Sequence, residues 1–198
     1  MRVARAINSL VEAFERLPGI GPKTAQRLTY YLLHVPQTEL DRFAAALTNL
    51  KRDTQECNMC HNVAETNPCD ICSDTRRDQS TICVVEQPLD VLALETSNGY
   101  LGVYHVLHGV IYPLHNIGPE EIKLGELLNR LPQASEIILA LNPTMEGEAT
   151  CLYLKKQLEA RYFAGKVTRL AHGLPVGADI QYADNQTLSH AMNGRKDY

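Results

Sequence analysis

A chain of 198 residues, 44% apolar and 21% charged, is long enough to bury a core without disulfides, which excludes a disordered or fibrous protein. No stretch approaches eighteen consecutive apolar residues, so a membrane-spanning helix is excluded as well. The net charge of −4 is unevenly spread: residues 1–56 hold eight Lys and Arg against six acids, or +2, which leaves −6 for residues 57–198. A basic N-terminal quarter suits a nucleic-acid contact, and a solvated helix face accounts for it equally well. The opening residues carry no secretory signal pattern, so the six cysteines are expected in a reducing cytoplasm, where paired cysteines mean metal or redox chemistry.

In chain order, Val3, Ala4, Ile7, Leu10, Val11, Phe14 and Leu17 recur at helical spacing and predict an amphipathic helix over 3–17, stopped by Pro18 and Gly19. A second helix is predicted to open at Pro22, a residue suited to a first turn, and to turn Ala25, Leu28, Leu32 and Leu33 inward. Thr38 followed by Asp41 predicts the cap of a third helix over 39–51. From Thr81 onward short apolar runs at 81–85, 102–106, 136–141 and 166–170 alternate with helical patterns near 89–97, 119–131 and 148–163. That rhythm predicts an α/β fold built on a mostly parallel sheet, with polar boundaries at 53–56 and 73–80 and no internal repeat.

Cys57, Cys60, Cys69 and Cys72 form two CxxC pairs separated by eight residues. Two such knuckles converge four thiolates on a tetrahedron, and four protein ligands leave no open position for a substrate water, so the expected occupant is one structural zinc per chain. Redox dithiols or an iron-sulfur cluster are the alternatives. His61 beside Cys60 is expected to be a surface residue because four cysteines already complete a shell, and Cys83 and Cys151 read as core thiols. The remaining histidines have no cysteine or serine partner in local reach and read as core or surface residues.

Residues 17–28 place a glycine-hydrophobic-glycine turn between two helices. Gly19 and Gly21 let backbone approach a phosphate, and the free amides of the following helix point at the anion, with Lys23 and Arg27 four apart beside them. The pattern resembles a helix-hairpin-helix, which holds DNA backbone without reading sequence; a tight turn between core helices is the plainer alternative. The Gly21 to Thr24 run lacks Walker A spacing, and no third glycine completes a dinucleotide fingerprint.

An acidic set completes the inventory. Glu86 closes the first predicted strand and the 142–148 loop follows the third, so both fall at carboxyl ends of parallel strands, where such folds place ligands. This suggests a Mg²⁺ site.

Cys83 to Glu86, the 142–148 loop and the alternation around them resemble the Toprim domain, the metal-binding module of topoisomerases and bacterial primases. The order of motifs resembles one family in particular, the RecR family of bacterial recombination mediators, over essentially the whole chain. The likeness includes Tyr104 to Gly109, Ile117 to Glu120 and Gly173 to Asp179. It implies a helix-hairpin-helix DNA-binding region over 1–53, a four-cysteine zinc finger over 54–78, a Toprim domain over 79–172 and a C-terminal segment over 173–198. It further implies a homo-oligomer that encircles or clamps DNA, a tetrameric ring being one form, working with RecO and RecF to load recombinase at gaps. Gly19, Gly21, Lys23, Thr24 and Arg27 would then touch DNA, and Glu86, Asn142, Thr144 and Glu146 would form the Toprim acidic or partner site.

Catalytic Toprim enzymes place two aspartates where this chain has Asn142 and Thr144, and neutral groups are poor substitutes for carboxylates around Mg²⁺. The expectation is therefore a non-enzymatic DNA-binding clamp of recombinational repair. A Mg²⁺-dependent Toprim nuclease or primase-like enzyme, with Glu86, Glu146 and Glu148 gathering the ion, is the alternative, and an adaptor making only protein contacts is a third class. Without a Walker A loop no ATPase is attached to Asp179 or Asp184.

Overall fold

A computed structural model describes residues 3–196. Met1, Arg2, Asp197 and Tyr198, which open and close the outermost predicted segments, lie outside the described residues. The chain divides into two compact units, Met1–Asp53 and Thr54–Tyr198.

The first unit holds α1 (Arg5–Glu15), α2 (Pro22–Leu32) and α3 (Gln37–Asn49). α1 ends before Pro18, and α2 takes Pro22 in its first turn, where the missing amide costs nothing. Ile7, Leu10, Val11 and Phe14 are half-buried on α1, which packs against α2. On α2 the inward row runs Ala25, Thr29 and Leu32, spaced four and three apart; Leu33, predicted inward, caps the helix and stays 59% exposed. The predicted cap of α3 is also corrected. Helix begins after Pro36, Thr38 lies inside it, and Asp41 accepts from Gln37 Nε2 at 2.8 Å instead of capping. Ala25 and Thr29 are the buried residues of this unit among those described.

The second unit opens with a two-stranded hairpin, β1 (Gln55–Glu56) and β2 (Val63–Ala64), followed by the single turn α4 (Asp70–Ser73). The sheet comprises β3 (Asp78–Val85), β4 (Gly102–Val106), β5 (Glu136–Leu139) and β6 (Lys166–Arg169) in the order β4-β3-β5-β6, with every neighbouring pair parallel. Connecting helices are α5 (Pro88–Thr96), α6 (Leu124–Asn129) and α7 (Met145–Ala160), and α8 (Asn185–Asn193) lies in the C-terminal segment. Strand alternation sorts the core into two layers. Ile82, Val84, Val103, Ile137 and Leu139 face Leu124, Leu127, Leu154 and Leu158 of α6 and α7. Cys83, Val85, Tyr104 and Val106 cluster with Val91 of α5. Both faces are covered at the centre of the sheet, which is why Ile82 to Val85 reads as an unbroken apolar run.

The helix predicted over 119–131 is shorter than its pattern. Glu121 accepts from the Gly118 amide at 2.7 Å and holds a turn, while Pro132 falls in a 3-10 turn just past α6. Among the described residues no helix is long and apolar enough to cross a membrane.

Candidate functional site

The four cysteines of the knuckle converge. Their Sγ atoms all lie within 4.8 Å of one another, and Cys57, Cys60, Cys69 and Cys72 are all buried. Local structure explains the approach: the Cys57 amide donates to the Asn62 carbonyl at 2.8 Å, which folds the first pair into a tight loop across β1 and β2. The Cys69 amide donates to Cys57 Sγ at 3.4 Å, and α4 carries Cys72 back onto Cys69 and Cys60. Four buried thiols at this separation are in conflict. A shared hydrogen bond from Cys60 holds Cys69 well below the ordinary thiol range, while Cys60 and Cys72 are pushed up by the same bonds and by burial. A divalent cation resolves that conflict by taking the place of the thiol protons, so the donor set fits a soft tetrahedral ion such as zinc.

His61 is not the surface residue its sequence position suggested. It is buried, sits at φ +61°, donates Nδ1 to Glu56 Oε1 at 2.6 Å, and meets the His105 ring edge to face at 5.3 Å. Burial holds His105 neutral, with its pKa lowered to about 3, and its Nε2 donates to the Lys123 carbonyl at 2.6 Å. Two backbone carbonyls of the knuckle reach the sheet domain: Cys60 accepts from the Val106 amide at 2.8 Å, and His61 from His108 Nε2 at 2.6 Å. No spacing rule joins residues 61, 105 and 108 in the sequence.

In the first unit the turn between α1 and α2 is open. Gly19 stands at φ +80°, a conformation few side chains tolerate, and neither it nor Gly21 has an atom within 4 Å of where a Cβ would be. Gly21 is the extended N-cap of α2, which leaves the first amides of the helix without a capping side chain and without an acid in the first turn. Lys23 and Arg27 are both exposed beside this positive helix end, and Thr24 is half-buried.

At the sheet, Glu86 follows β3 and Asn142 follows β5, two adjacent strands whose onward connections diverge, which is the switch point of the sheet. The two side chains meet: Asn142 Nδ2 donates to Glu86 Oε2 at 2.8 Å. Thr144 caps α7 by accepting from the Gly147 amide at 3.1 Å. Glu148 is clamped by Arg169 of β6, with Nη1 to Oε2 at 3.0 Å, and this pairing holds its carboxyl below the usual range. Glu146 is half-buried in the first turn of α7 and forms no ion pair among the described residues. Sequence reasoning missed the cavity of about 650 Å³ next to this set, where Glu148 meets His172 and, from the C-terminal segment, Asp184 and His190. The His172 and His190 rings stand 5.5 Å apart there, a contact carried by the fold of that segment rather than by any motif.

The fold and the switch-point carboxylate define a Toprim-class protein, and residues 80–171 match the Toprim domain family. Residues 7–51 match the family described as RecR, helix-hairpin-helix; residues 54–74 match the RecR four-cysteine zinc finger domain; residues 173–196 match the RecR C-terminal family. Recombination protein RecR of Heliobacterium modesticaldum is 48% identical over 196 residues, 98% of each chain. This chain belongs to the RecR family.

Proposed function

We propose that the chain is a DNA-binding clamp of recombinational DNA repair, without catalytic activity of its own, which acts with RecO and RecF to promote recombinase loading at gaps. The observation that carries the DNA contact is the uncapped, acid-free start of α2 behind the open Gly19 to Gly21 turn, flanked by exposed Lys23 and Arg27. Backbone amides and two cations there suit phosphates and read no base. Residues 1–53 serve as the DNA-binding region, 54–78 as the zinc finger, 79–172 as the Toprim platform and 173–198 as the C-terminal segment. Cys57, Cys60, Cys69 and Cys72 hold one zinc whose role is structural. One hairpin on a chain of net charge −4 binds DNA weakly, so a cytoplasmic homo-oligomer that gathers several hairpins completes the reading. Exposed Tyr31, Phe43 and Leu47 of the first unit support it.

Absence of catalysis is supported by how the switch-point acids are occupied. Glu86 is paired with a neutral amide rather than a second carboxylate, and Glu148 with Arg169, so among the described residues neither acid is hydrogen-bonded into a carboxylate pair of the kind that two-metal phosphoryl transfer uses. Glu86, Asn142, Thr144 and Glu146 then form a docking rim for a basic partner.

DNA affinity of the full chain, measured against salt, tests the reading. Each phosphate contact contributes a log-log slope of about 0.9 on duplex DNA, so Lys23→Ala with Arg27→Ala should flatten the dependence by about two such contacts. A double variant that binds like the parent at every salt concentration reduces the hairpin to a turn. Turnover of DNA with Mg²⁺ or Mn²⁺ that vanishes in Glu86→Ala would promote the nuclease or primase-like reading instead.

A further inference from the structure

Residues 54–75 contain four acids and neither lysine nor arginine. A zinc ion held by four thiolates adds a further net charge of about −2 to that segment, in partly buried surroundings where such charge is costly. The cations that follow it in sequence are already paired: Arg76 with Asp74 of the segment itself at 2.9 Å, and Arg77 with Glu95 of α5. Lys123 lies between Glu56 at 3.5 Å and Glu126 at 3.7 Å.

Arg130 differs from all of these. It caps the end of α6 and donates Nη1 to the Tyr104 carbonyl at 2.7 Å and to His105 Nδ1 at 3.3 Å. Both partners are neutral, because His105 already spends its one ring proton on the Lys123 carbonyl. Among the described residues the guanidinium forms no ion pair with a carboxylate. Burial works against its charge and lowers its pKa, and the side chain lines one groove with Met59 and His61 of the knuckle. Its position on the strand ties it to the knuckle. Tyr104 and Val106 point their backbone groups to the same outer side of β4, and Val106 donates to the Cys60 carbonyl. Two residues along a strand is roughly 7 Å, so Arg130 and Cys60 dock on adjacent sites of one edge.

We propose that Arg130 supplies the half-buried positive charge that balances the metal-thiolate cluster, so that the sheet domain sets the metal affinity of the knuckle. The inference rests on the zinc reading of residues 57–72. A fixed cation favours the deprotonated thiolates that bind the ion, and groups beyond the ligand shell commonly alter affinity by about 10–100-fold.

The test is zinc competition between the full-length chain and a chromogenic chelator, with the fold checked by circular dichroism. Arg130→Gln keeps a donor for the Tyr104 carbonyl and removes the charge; it should bind zinc about tenfold or more weakly and release it faster to the chelator. Arg130→Lys keeps the charge and should stay close to the parent. Equal affinity in parent and Gln variant, or an equal loss in Gln and Lys variants, overturns the role of charge while leaving the zinc site standing. A parent chain that holds no zinc overturns both the zinc reading and this inference.

Discussion

Glu95 pins the end of α5 to the sheet. Burial raises its pKa, but Arg77 and the Tyr104 hydroxyl, at 3.0 and 2.7 Å, outweigh burial and hold the carboxyl below its usual range. The contribution is therefore present above the unfolded carboxylate pKa and is lost as pH falls through the lower folded value. Glu95→Gln should cost about 2 kcal/mol at neutral pH, and the gap from the parent in urea midpoint should close as the medium is acidified below the ordinary carboxylate range. A gap that persists undiminished in acid would assign the loss to packing. The four cysteines announce themselves because metal ligation imposes a short spacing. Arg77 with Glu95, Arg130 with Tyr104 and His61 with His105 do not, because each joins residues many positions apart and no local periodicity encodes the pairing.

Among elements, the strands of the sheet and the helix ends marked by Pro18 and Pro22 were legible, and the other helix ends were not. A strand covered on both faces must be largely apolar, as Ile82 to Val85 is throughout and Gly102 to Val106 is apart from His105, whereas a helix end without a proline is decided by which of several side chains reaches the free amides first. At α3 Gln37 takes Asp41 out of contention as a cap. At α7 Thr144 takes the cap, and Gly147 fits beneath it only because it lacks a side chain: a Cβ there would lie 2.0 Å from the Asn142 carbonyl oxygen. Gly→Ala inside a helix ordinarily gains about 0.5–1 kcal/mol. Gly147→Ala should reverse that sign, destabilise the chain in urea, and loosen Asn142 from Glu86; a stabilised variant would mean the loop moves aside freely. Glu86 and Asn142 could be placed at neighbouring strand ends from the alternation alone, but their hydrogen bond depends on the loop geometry that Gly147 permits.

For the molecule as a whole, the first unit buries only Ala25 and Thr29 among its described residues, while Tyr30, Tyr31, Phe43 and Leu47 are 45–66% exposed. Light scattering at micromolar concentration should accordingly give a mass above the 22.1 kDa of one chain, and Phe43→Glu with Leu47→Glu should lower it; a parent that scatters as a monomer contradicts the assembly. The two outer strands of the sheet meet water in different ways. β6 is four residues long and carries Lys166 and Arg169, short and charged enough to repel a neighbour. β4 is buried along its length and has no such charges, and what stands beside it is the knuckle, through Cys60 on Val106. Metal loss thus reaches further than one small module. With the knuckle undone, the Val106 amide of this apolar edge would lose its partner and stand open to the same strand of another molecule, so chelation should be followed by turbidity that rises with protein concentration and is prevented by restoring zinc. The knuckle, on this view, is also a guard against self-association of the wrong kind.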